Sequence, residues 1–417
     1  MSKAGHGGIE RDVGIVLSGG GAFAAYEAGV LRAILAGESE ATGYSKVDPG
    51  IITGTSAGAI NAALMISRLG SGVMEALDYL DHVWLEELAA RSPLGHNGVF
   101  RFRMDPVGFL NPESLVSHPL DSLMSLANDG AALARTVLRR GSNFLLSTGR
   151  IGSRAMGLMD MAALIAADAL PGTLRRVVDL KALQTSERVI QVAAANWTTG
   201  SIELFGNKDL AGEHGYEALR ASAAIPGIFQ PITIGDQVYM DGGLIMNTPL
   251  KPAIDAGAST LHVIFVDPLV RNMPSSRLSS TMDIFQRAMA ISFAATTNRD
   301  IETAARINQT LRHRTGGEKK STGAPGKRKT AGGEARVQST LAARPPHTPR
   351  QLTIHRYNPV HDLGNGLGIL DFNKESIKAL IERGFQDGIR HDCATSGCVI
   401  PESAVATASA GFIEPTP

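Results

Sequence analysis

The chain has 417 residues, of which 43% are apolar, and its 40 Lys or Arg residues are matched by 40 Asp or Glu residues. A balanced charge gives no overall signal for nucleic-acid binding, and we expect no nucleic-acid partner. The only two cysteines, Cys393 and Cys398, exclude a disulfide framework and favour a reducing compartment. Two thiols could contribute to a metal site, but no second pair completes one, so free thiols are the favoured interpretation.

No segment is predicted to direct the chain out of the cytoplasm or to span a membrane. Residues 1–11 are polar and glycine-rich, without the apolar core of a secretory signal. The longest apolar passage, Ala155 to Leu170, is interrupted by Asp160 and Asp168, which argues against a membrane span. We therefore expect a cytoplasmic protein, with peripheral membrane contact as an alternative.

The first predicted strand, Val13 to Leu17, runs into three glycines, Gly19 to Gly21, and then into a helix. Glycine N–H groups at a strand end can surround one negatively charged atom, either a phosphate or the oxyanion of a tetrahedral intermediate. The nucleotide interpretation fails because no Lys-Ser/Thr pair stands at P-loop spacing and G-x-G-x-x-G would need glycine at Ala24. The loop therefore predicts an oxyanion hole.

A G-x-S-x-G motif, Gly54 to Gly58, stands between an apolar run and a helical pattern. A nucleophile elbow requires this strand-turn-helix context, and Gly54 and Gly58 let neighbouring backbone pass without a Cβ clash. The motif alone would more often be a simple tight turn, but its surroundings favour Ser56 as a nucleophile. One right-handed βαβ unit would place the glycine loop beside Ser56 at the carboxyl edge of a parallel sheet.

A second chemical segment, Val238 to Gly243, predicts a short strand that carries Asp241 into a turn made by Gly242 and Gly243. Asp-Gly is also a common surface turn. A serine hydroxyl nevertheless needs a base before it becomes nucleophilic. Asp241 is therefore the candidate base for Ser56.

The remaining pattern predicts a helical cap and further strands and helices. The predicted helices are 73–88, 120–145, 156–170, 281–311 and 374–388, and the predicted strands are 189–195, 201–205, 260–267 and 352–357.

Residues 312–350 differ sharply in composition, with ten Lys or Arg residues against two Asp or Glu residues and abundant Gly, Pro, Ser and Thr. We expect this segment to be disordered. It is either a solvated linker or a mobile basic segment that contacts anionic membrane.

These three motifs, together with a fourth at Ala221 to Phe229, resemble those of bacterial patatin-like phospholipases. They occur in the family's order within residues 13–267: Leu17 to Gly21, Gly54 to Gly58, Ala221 to Phe229, and Asp241 to Gly243 followed by Asn247-Thr248-Pro249. The resemblance implies a three-layer α/β/α sandwich with a mostly parallel central sheet, and hydrolysis of acyl esters in lipids through an acyl-enzyme intermediate without metal or cofactor.

The resemblance also implies roles for individual residues. Ser56 would be the nucleophile and Asp241 its base, without a histidine. The oxyanion donors would be N–H groups of Gly19, Gly20, Gly21, Ala22 and Ala57. One departure is that Phe23 and Ala24 stand where the family usually has a cation and a glycine, which puts catalytic efficiency and head-group preference in question.

Several alternatives remain. An α/β-hydrolase triad would combine Ser56 with Asp267 and either His355 or His361, although neither histidine stands in a recognisable catalytic turn. An acyl-carrier transacylase would resemble Gly-His-Ser-x-Gly, with histidine where this chain has Thr55. An acyltransferase, a neutral-lipid esterase or a catalytically degenerate lipid-binding protein could share the same fold.

The expected organisation has five parts, and the sequence predicts no oligomeric state. These parts are a flexible start (1–11), a catalytic domain (12–311) with a helical cap at about 71–185, the basic insert (312–350), a C-terminal part packed on the catalytic domain (351–392) and a flexible tail (393–417).

Overall fold

The computed structural model describes residues 8–90, 97–102, 165–267, 281–318, 350–364 and 368–401. The strands are β1 Glu10–Leu17, β2 Pro49–Thr55, β3 Arg101–Phe102, β4 Ile165–Ala166, β5 Val189–Asn196, β6 Ser201–Gly206, β7 Ile232–Ile234, β8 Gln237–Asp241, β9 Thr260–Ile264 and β10 Thr353–Tyr357. The helices are α1 Ala25–Leu35, α2 Ala57–Leu69, α3 Val73–His82, α4 Ala169–Val177, α5 Leu180–Thr185, α6 Asn207–Leu210, α7 Gly215–Ser222, α8 Gly243–Met246, α9 Leu250–Asp255, α10 Thr281–Glu318, α11 Lys374–Ile389 and α12 Cys393–Ser396. Helix α3 continues as a π-helical turn over Val83–Leu88, and short 3-10 turns span Gly21–Ala24, Glu40–Thr42 and Gly368–Leu370.

Eight strands form one sheet in the order β10-β9-β1-β2-β5-β8-β7, with β6 also paired to β5. The five strands from β10 to β5 run parallel, whereas β6 and β8 run antiparallel to β5. Parallel strands are joined by crossovers that cover both faces of a sheet. The strands are therefore buried on both faces, and their sequences are mostly apolar. All seven residues of β2 are buried, as this rule requires.

Two apolar cores lie on opposite faces of this sheet. Ile15 and Leu17 of β1 belong to the core that α1, α2 and α11 cover. Val16, between them, belongs to the core formed with α9 and α10. Alternate side chains of a strand point to opposite faces. The expected α/β/α sandwich with a mostly parallel sheet is therefore confirmed.

The structure differs from the predicted element bounds at several positions. Strand β1 begins at Glu10, inside the expected flexible start, because its first residue pairs with Pro49. Helix α10 continues to Glu318, so residues 312–318 of the basic segment are helical. In the expected tail, Cys393–Ser396 is helical, and Val399 forms a bridge with Ile354. Backbone pairing of this kind leaves no signal in local composition.

The helical cap is described only at its two ends. Ile165 and Ala166, predicted as helix, pair with Arg101 and Phe102 as a two-stranded sheet, and α4 begins only at Ala169. Most of the predicted helix at 156–170, the whole helix at 120–145 and residues 319–349 lie outside the described residues. Within the described ranges, no helix has both the length and the apolar character needed to cross a lipid bilayer.

Candidate active site

The candidate active site forms where two strands meet end to end along one edge of β5. Strand β2 pairs with β5 up to Thr55, which lies opposite Ala193. The next residue of β5, Ala194, lies opposite Asp241, the last residue of β8. Strand β6 occupies the other edge of β5 over the same residues. Because β2 runs parallel and β8 antiparallel to β5, their carboxyl ends face each other. Ser56, directly after β2, therefore lies beside Asp241 although 185 positions separate them in the chain.

Ser56 occupies a sharp turn between β2 and α2. It has a positive φ of 56° with ψ of −127°, and α2 begins at the next residue. A nucleophile elbow has such a strained turn, which exposes the serine hydroxyl at its tip. The N–H of Ser56 donates to Oγ of Ser222 at 2.9 Å, and Ser222 Oγ donates to the carbonyl of Ala193 at 2.7 Å. Ser222 is fully buried, so it holds the elbow against β5.

Asp241 accepts two hydrogen bonds in this site. Ser56 Oγ donates to Oδ2 at 2.6 Å, and the Gly243 N–H donates to Oδ1 at 2.8 Å. Burial raises the pKa of Asp241 to about 6, although the hydrogen bonds from Ser56 and Gly243 oppose this rise. A Cβ at position 242 would overlap the carbonyl of Ala193, so only glycine fits between the strands at this position. A buried carboxylate in contact with a serine hydroxyl can accept its proton.

The glycine loop follows β1 and lies against the elbow. A Cβ on Gly19 would lie 3.0 Å from Cβ of Ser56, and Gly21 has a φ of 57° that favours glycine. The Gly19 N–H donates to the Asn247 carbonyl at 3.1 Å, while Nδ2 of Asn247 donates to the Gly19 carbonyl at 3.2 Å. Because the Gly19 N–H already donates a hydrogen bond to the Asn247 carbonyl, Gly19 does not fit the predicted role of an oxyanion donor.

The other predicted donors stand at the starts of helical turns. The first hydrogen bond of the 3-10 turn runs from the Phe23 N–H to the Gly20 carbonyl at 3.1 Å, so the N–H groups of Gly20, Gly21 and Ala22 precede it. The N–H of Ala57 likewise belongs to the first residue of α2. Such N–H groups have no acceptor inside their own helix and suit a negatively charged oxygen.

Ser56 opens onto two cavities with apolar walls. The larger, about 310 Å³, is lined by Ser56, Asp241 and the glycine loop, together with apolar residues that include Ile228, Leu244 and Phe293. The smaller cavity, of about 30 Å³, is lined by Ser56 and by apolar side chains that include Trp84 and Phe372. Pockets that are mostly apolar with a few convergent polar groups are typical of small-molecule sites.

The histidines considered for a triad do not line either cavity beside Ser56. His355 is on β10, which β9 and β1 separate from β2, so three strand spacings of about 4.8 Å place it roughly 14 Å from the elbow strand. Its Nδ1 faces Sγ of Cys393 at 3.3 Å. His361 is exposed. Asp267 lines the larger cavity, and burial together with Asp362 raises its pKa to about 6, but neither histidine accompanies it there. The geometry therefore favours Ser56 with Asp241 over the triad.

Sequence reasoning missed two positioning residues, Ser222 and Asn247. Both lie in motifs noted in the sequence, within Ala221 to Phe229 and at Asn247-Thr248-Pro249. Buried polar side chains are hydrogen-bonded as a rule. A serine or asparagine in an otherwise small or apolar motif is the signal that could have identified them.

Comparison with known proteins places this site in a family. A family model described as Patatin-like phospholipase matches residues 15–254. The structure of VipD from Legionella pneumophila is 13% identical with a TM-score of 0.32, and the alignment covers 91% of this chain and 66% of VipD. The chain thus spans just under two thirds of the length of that protein. No significant match to a curated protein sequence was found.

The family match covers more than half of the chain and includes the end of β1, the glycine loop, the elbow and Asp241. The chain therefore belongs to the patatin-like phospholipase family.

Proposed function

We propose that the protein is a serine hydrolase that cleaves carboxylic esters of lipids with a dyad of Ser56 and Asp241. The observation that carries this proposal is the 2.6 Å hydrogen bond from Ser56 Oγ to Asp241 Oδ2. Both side chains are buried, with exposed fractions of 3% and 5%. Exclusion of water strengthens electrostatic interactions at such a site.

In the proposed reaction, Ser56 Oγ attacks the ester carbonyl carbon while Asp241 accepts the hydroxyl proton. The N–H groups of Gly20, Gly21, Ala22 and Ala57 donate hydrogen bonds to the resulting oxyanion. The carbon–oxygen bond to the alcohol then breaks, and the departing oxygen takes the proton from Asp241. Water attacks the acyl-enzyme by the same route, which releases the fatty acid and restores Ser56.

The larger cavity supports an acyl chain as the group held beside Ser56. Its polar side chains are Ser56, Asp241, Asn247 and Asp267, whereas apolar residues such as Ile225, Met289 and Phe293 line most of its walls. Leu244, at this cavity, is 40% exposed, and the neighbouring Ile245 is 38% exposed. Apolar side chains exposed beside a cavity suit a lipid aggregate as the source of substrate.

Labelling with a fluorophosphonate probe tests this proposal. We expect the probe to modify Ser56, identified by mass spectrometry of the labelled peptide, and we expect hydrolysis within a panel of phospholipids, lysophospholipids and neutral glycerides. The variant Ser67→Ala is a matched control because Ser67 is a buried serine of α2 whose hydroxyl donates to the Leu64 carbonyl at 2.8 Å. An unlabelled Ser56 with no hydrolysis of any ester would favour the catalytically degenerate lipid-binding alternative.

We also propose that residues 312–350 bring the protein to anionic membrane surfaces. The support is their charge, ten cations against two anions. Each Lys or Arg near such a surface contributes about 1 kcal/mol to binding, before the entropy lost on confinement is subtracted.

A further inference from the structure

Four metal-binding side chains gather at the β10 end of the sheet, away from Ser56. They are His355 on β10, His391 just after α11, Cys393 in α12 and Cys398 shortly after α12. Both histidines are buried and both thiols are partly buried. The chain contains no other cysteine, so both of its thiols are in this cluster.

The ligand atoms of the cluster have the spacing of a tetrahedral site. All four lie within 4.8 Å of one another. His355 Nδ1 is 3.3 Å from Cys393 Sγ, and His391 Nε2 is 3.4 Å from Sγ of both Cys393 and Cys398. Zinc bonds of about 2.3 Å to sulfur and about 2.0–2.1 Å to nitrogen place adjacent ligand atoms about 3.6 Å apart in a tetrahedron. Small rotations of these side chains would therefore enclose one ion.

The backbone brings these side chains together through contacts that local sequence does not reveal. Val399 and Ile354 exchange N–H to carbonyl bonds of 2.8 and 2.9 Å, which fixes the segment after α12 beside β10. Gly397 ends α12 with a left-handed φ of 68° and lets the chain return to Cys398. The N–H of Arg356 donates to Cys398 Sγ at 3.2 Å. A backbone N–H aimed at a sulfur is the kind of supporting hydrogen bond that metal-bound thiolates receive.

We propose that His355, His391, Cys393 and Cys398 form a structural site for Zn²⁺ that holds the C-terminal segment to the edge strand of the sheet. Two imidazoles and two thiolates form one of the usual ligand sets of structural zinc. With four protein ligands no position remains for substrate, so the role is structural. Each thiol loses its proton on binding, so one Zn²⁺ with two thiolates and two neutral imidazoles carries no net charge.

This inference replaces the expectation of free thiols and no metal. His391, Cys393 and Cys398 lie close together in the sequence, but His355, which completes the set, lies 36 positions before His391 and on a different element. The inference stands apart from the proposed hydrolase activity, since none of the four ligands lines the cavities beside Ser56.

The first test uses the unmodified full-length chain, purified without a histidine tag or chelator. We expect elemental analysis to find one zinc ion per chain. Replacement with Co²⁺ should give the visible absorption of tetrahedral cobalt and a thiolate-to-cobalt charge-transfer band. A thiol reagent should react with the cysteines only after a strong chelator is added. Chelation should also lower Tm by several degrees, and added Zn²⁺ should restore it.

The second test compares variants. Cys393→Ser with Cys398→Ser, and separately His391→Ala, should lose zinc and the cobalt spectrum. His361→Ala is the matched control, since His361 is an exposed histidine outside the cluster, and it should retain both. The proposal is overturned if the unmodified chain incubated with Zn²⁺ binds none and its thiols react at the same rate with and without the ion. A Cys393–Cys398 disulfide in protein purified under reducing conditions would also overturn it.

Discussion

Ser56 is one of two non-glycine residues with a positive φ in the described part of the chain, the other being Tyr44. Strained backbone persists only where surrounding contacts hold it in place. At Ser56 those contacts are the hydrogen bonds to Ser222 and Asp241. The same strain that aims the hydroxyl therefore makes its geometry depend on side chains distant in sequence.

The first prediction concerns the two residues of the proposed dyad. Ser56→Ala and Asp241→Asn should each lower kcat by about 10⁴-fold or more, because one removes the nucleophile and the other the proton acceptor. Ester hydrolysis by the purified variants measures this. Ser67→Ala and His361→Ala, which alter a buried serine and a histidine outside the site, should stay near the parent rate. Abolished activity in a folded His361→Ala protein would point to a histidine triad.

The second prediction concerns pH. Since burial raises the pKa of Asp241 to about 6, kcat/KM should fall about tenfold per pH unit below 6 and level off above it, because only the ionised carboxylate acts as a base. The effect on stability has the opposite sign. A raised pKa means that the folded state binds its proton more tightly than the unfolded state, so this group's contribution to the free energy of unfolding falls as pH rises towards 6.

The stability effect can be measured separately from activity. The difference in Tm between Asp241→Asn and the parent protein should shift in favour of the variant from pH 4 to pH 6 and then remain constant. A pH-independent difference in Tm, or activity that stays constant down to pH 4, would contradict the raised pKa.

At the scale of elements, the sequence predicted the parts of the site that adjacent residues build. Strand β1 with its glycine loop and β2 with the elbow follow from apolar runs that end in glycine and small-residue motifs. The meeting of β2 and β8 along β5 could not be predicted, because it depends on which edge of β5 each strand pairs with. The contacts of Ser222 and Asn247 depend on that pairing and were missed with it.

The third prediction concerns Phe23, which stands where the family usually has a cation. Phe23 is 5% exposed, and an added Cβ at Gly364 or Gly368 would come within 3.0 Å of its ring. Phe23 also lines the larger cavity. Phe23→Arg should therefore lower the free energy of unfolding by more than about 2 kcal/mol, because the packing of the ring is lost and a charge is placed among apolar walls. Phe23→Leu, which stays apolar, should cost less. Thermal unfolding measures both, and an unchanged Tm with faster hydrolysis of anionic lipids in Phe23→Arg would contradict the expected loss of stability and show that the arginine acts on the substrate.

At the scale of the whole molecule, Asn308 joins the two ends of the basic region. Its Nδ2 donates to the Leu352 carbonyl at 2.7 Å, and its Oδ1 accepts from the Leu352 N–H at 2.8 Å. The two chain positions that flank residues 309–351 therefore lie next to each other. A segment with adjacent ends can be shortened at small entropic cost.

The fourth prediction uses this geometry. Replacing residues 319–349 with a Gly-Ser linker removes seven of the ten cations and leaves α10 and Asn308 in place. The linker must span the part of α10 that extends ten residues beyond Asn308, which is about 15 Å of helix. The variant should hydrolyse a soluble short-chain ester at the parent rate but lose binding to vesicles that contain anionic lipid. In the parent protein this binding should weaken as salt rises.

A full-length variant with the same seven cations changed to Gln is the matched control, because it removes charge without shortening the chain. It should also lose vesicle binding. Equal sedimentation of all three proteins with anionic vesicles at low salt would exclude the proposed role.

The meeting of β2 and β8 on one edge of β5 also bears on how the protein folds. Ser56 and Asp241 come together only after chain segments 185 positions apart have closed a loop and paired with the same strand. Contacts at such separation form slowly, because loop closure must precede the favourable interactions. Local helices such as α1 and α2 can form earlier. During refolding from denaturant, the far-ultraviolet circular dichroism signal should therefore recover before esterase activity. The lag between the two signals measures the time that β8 takes to pair with β5.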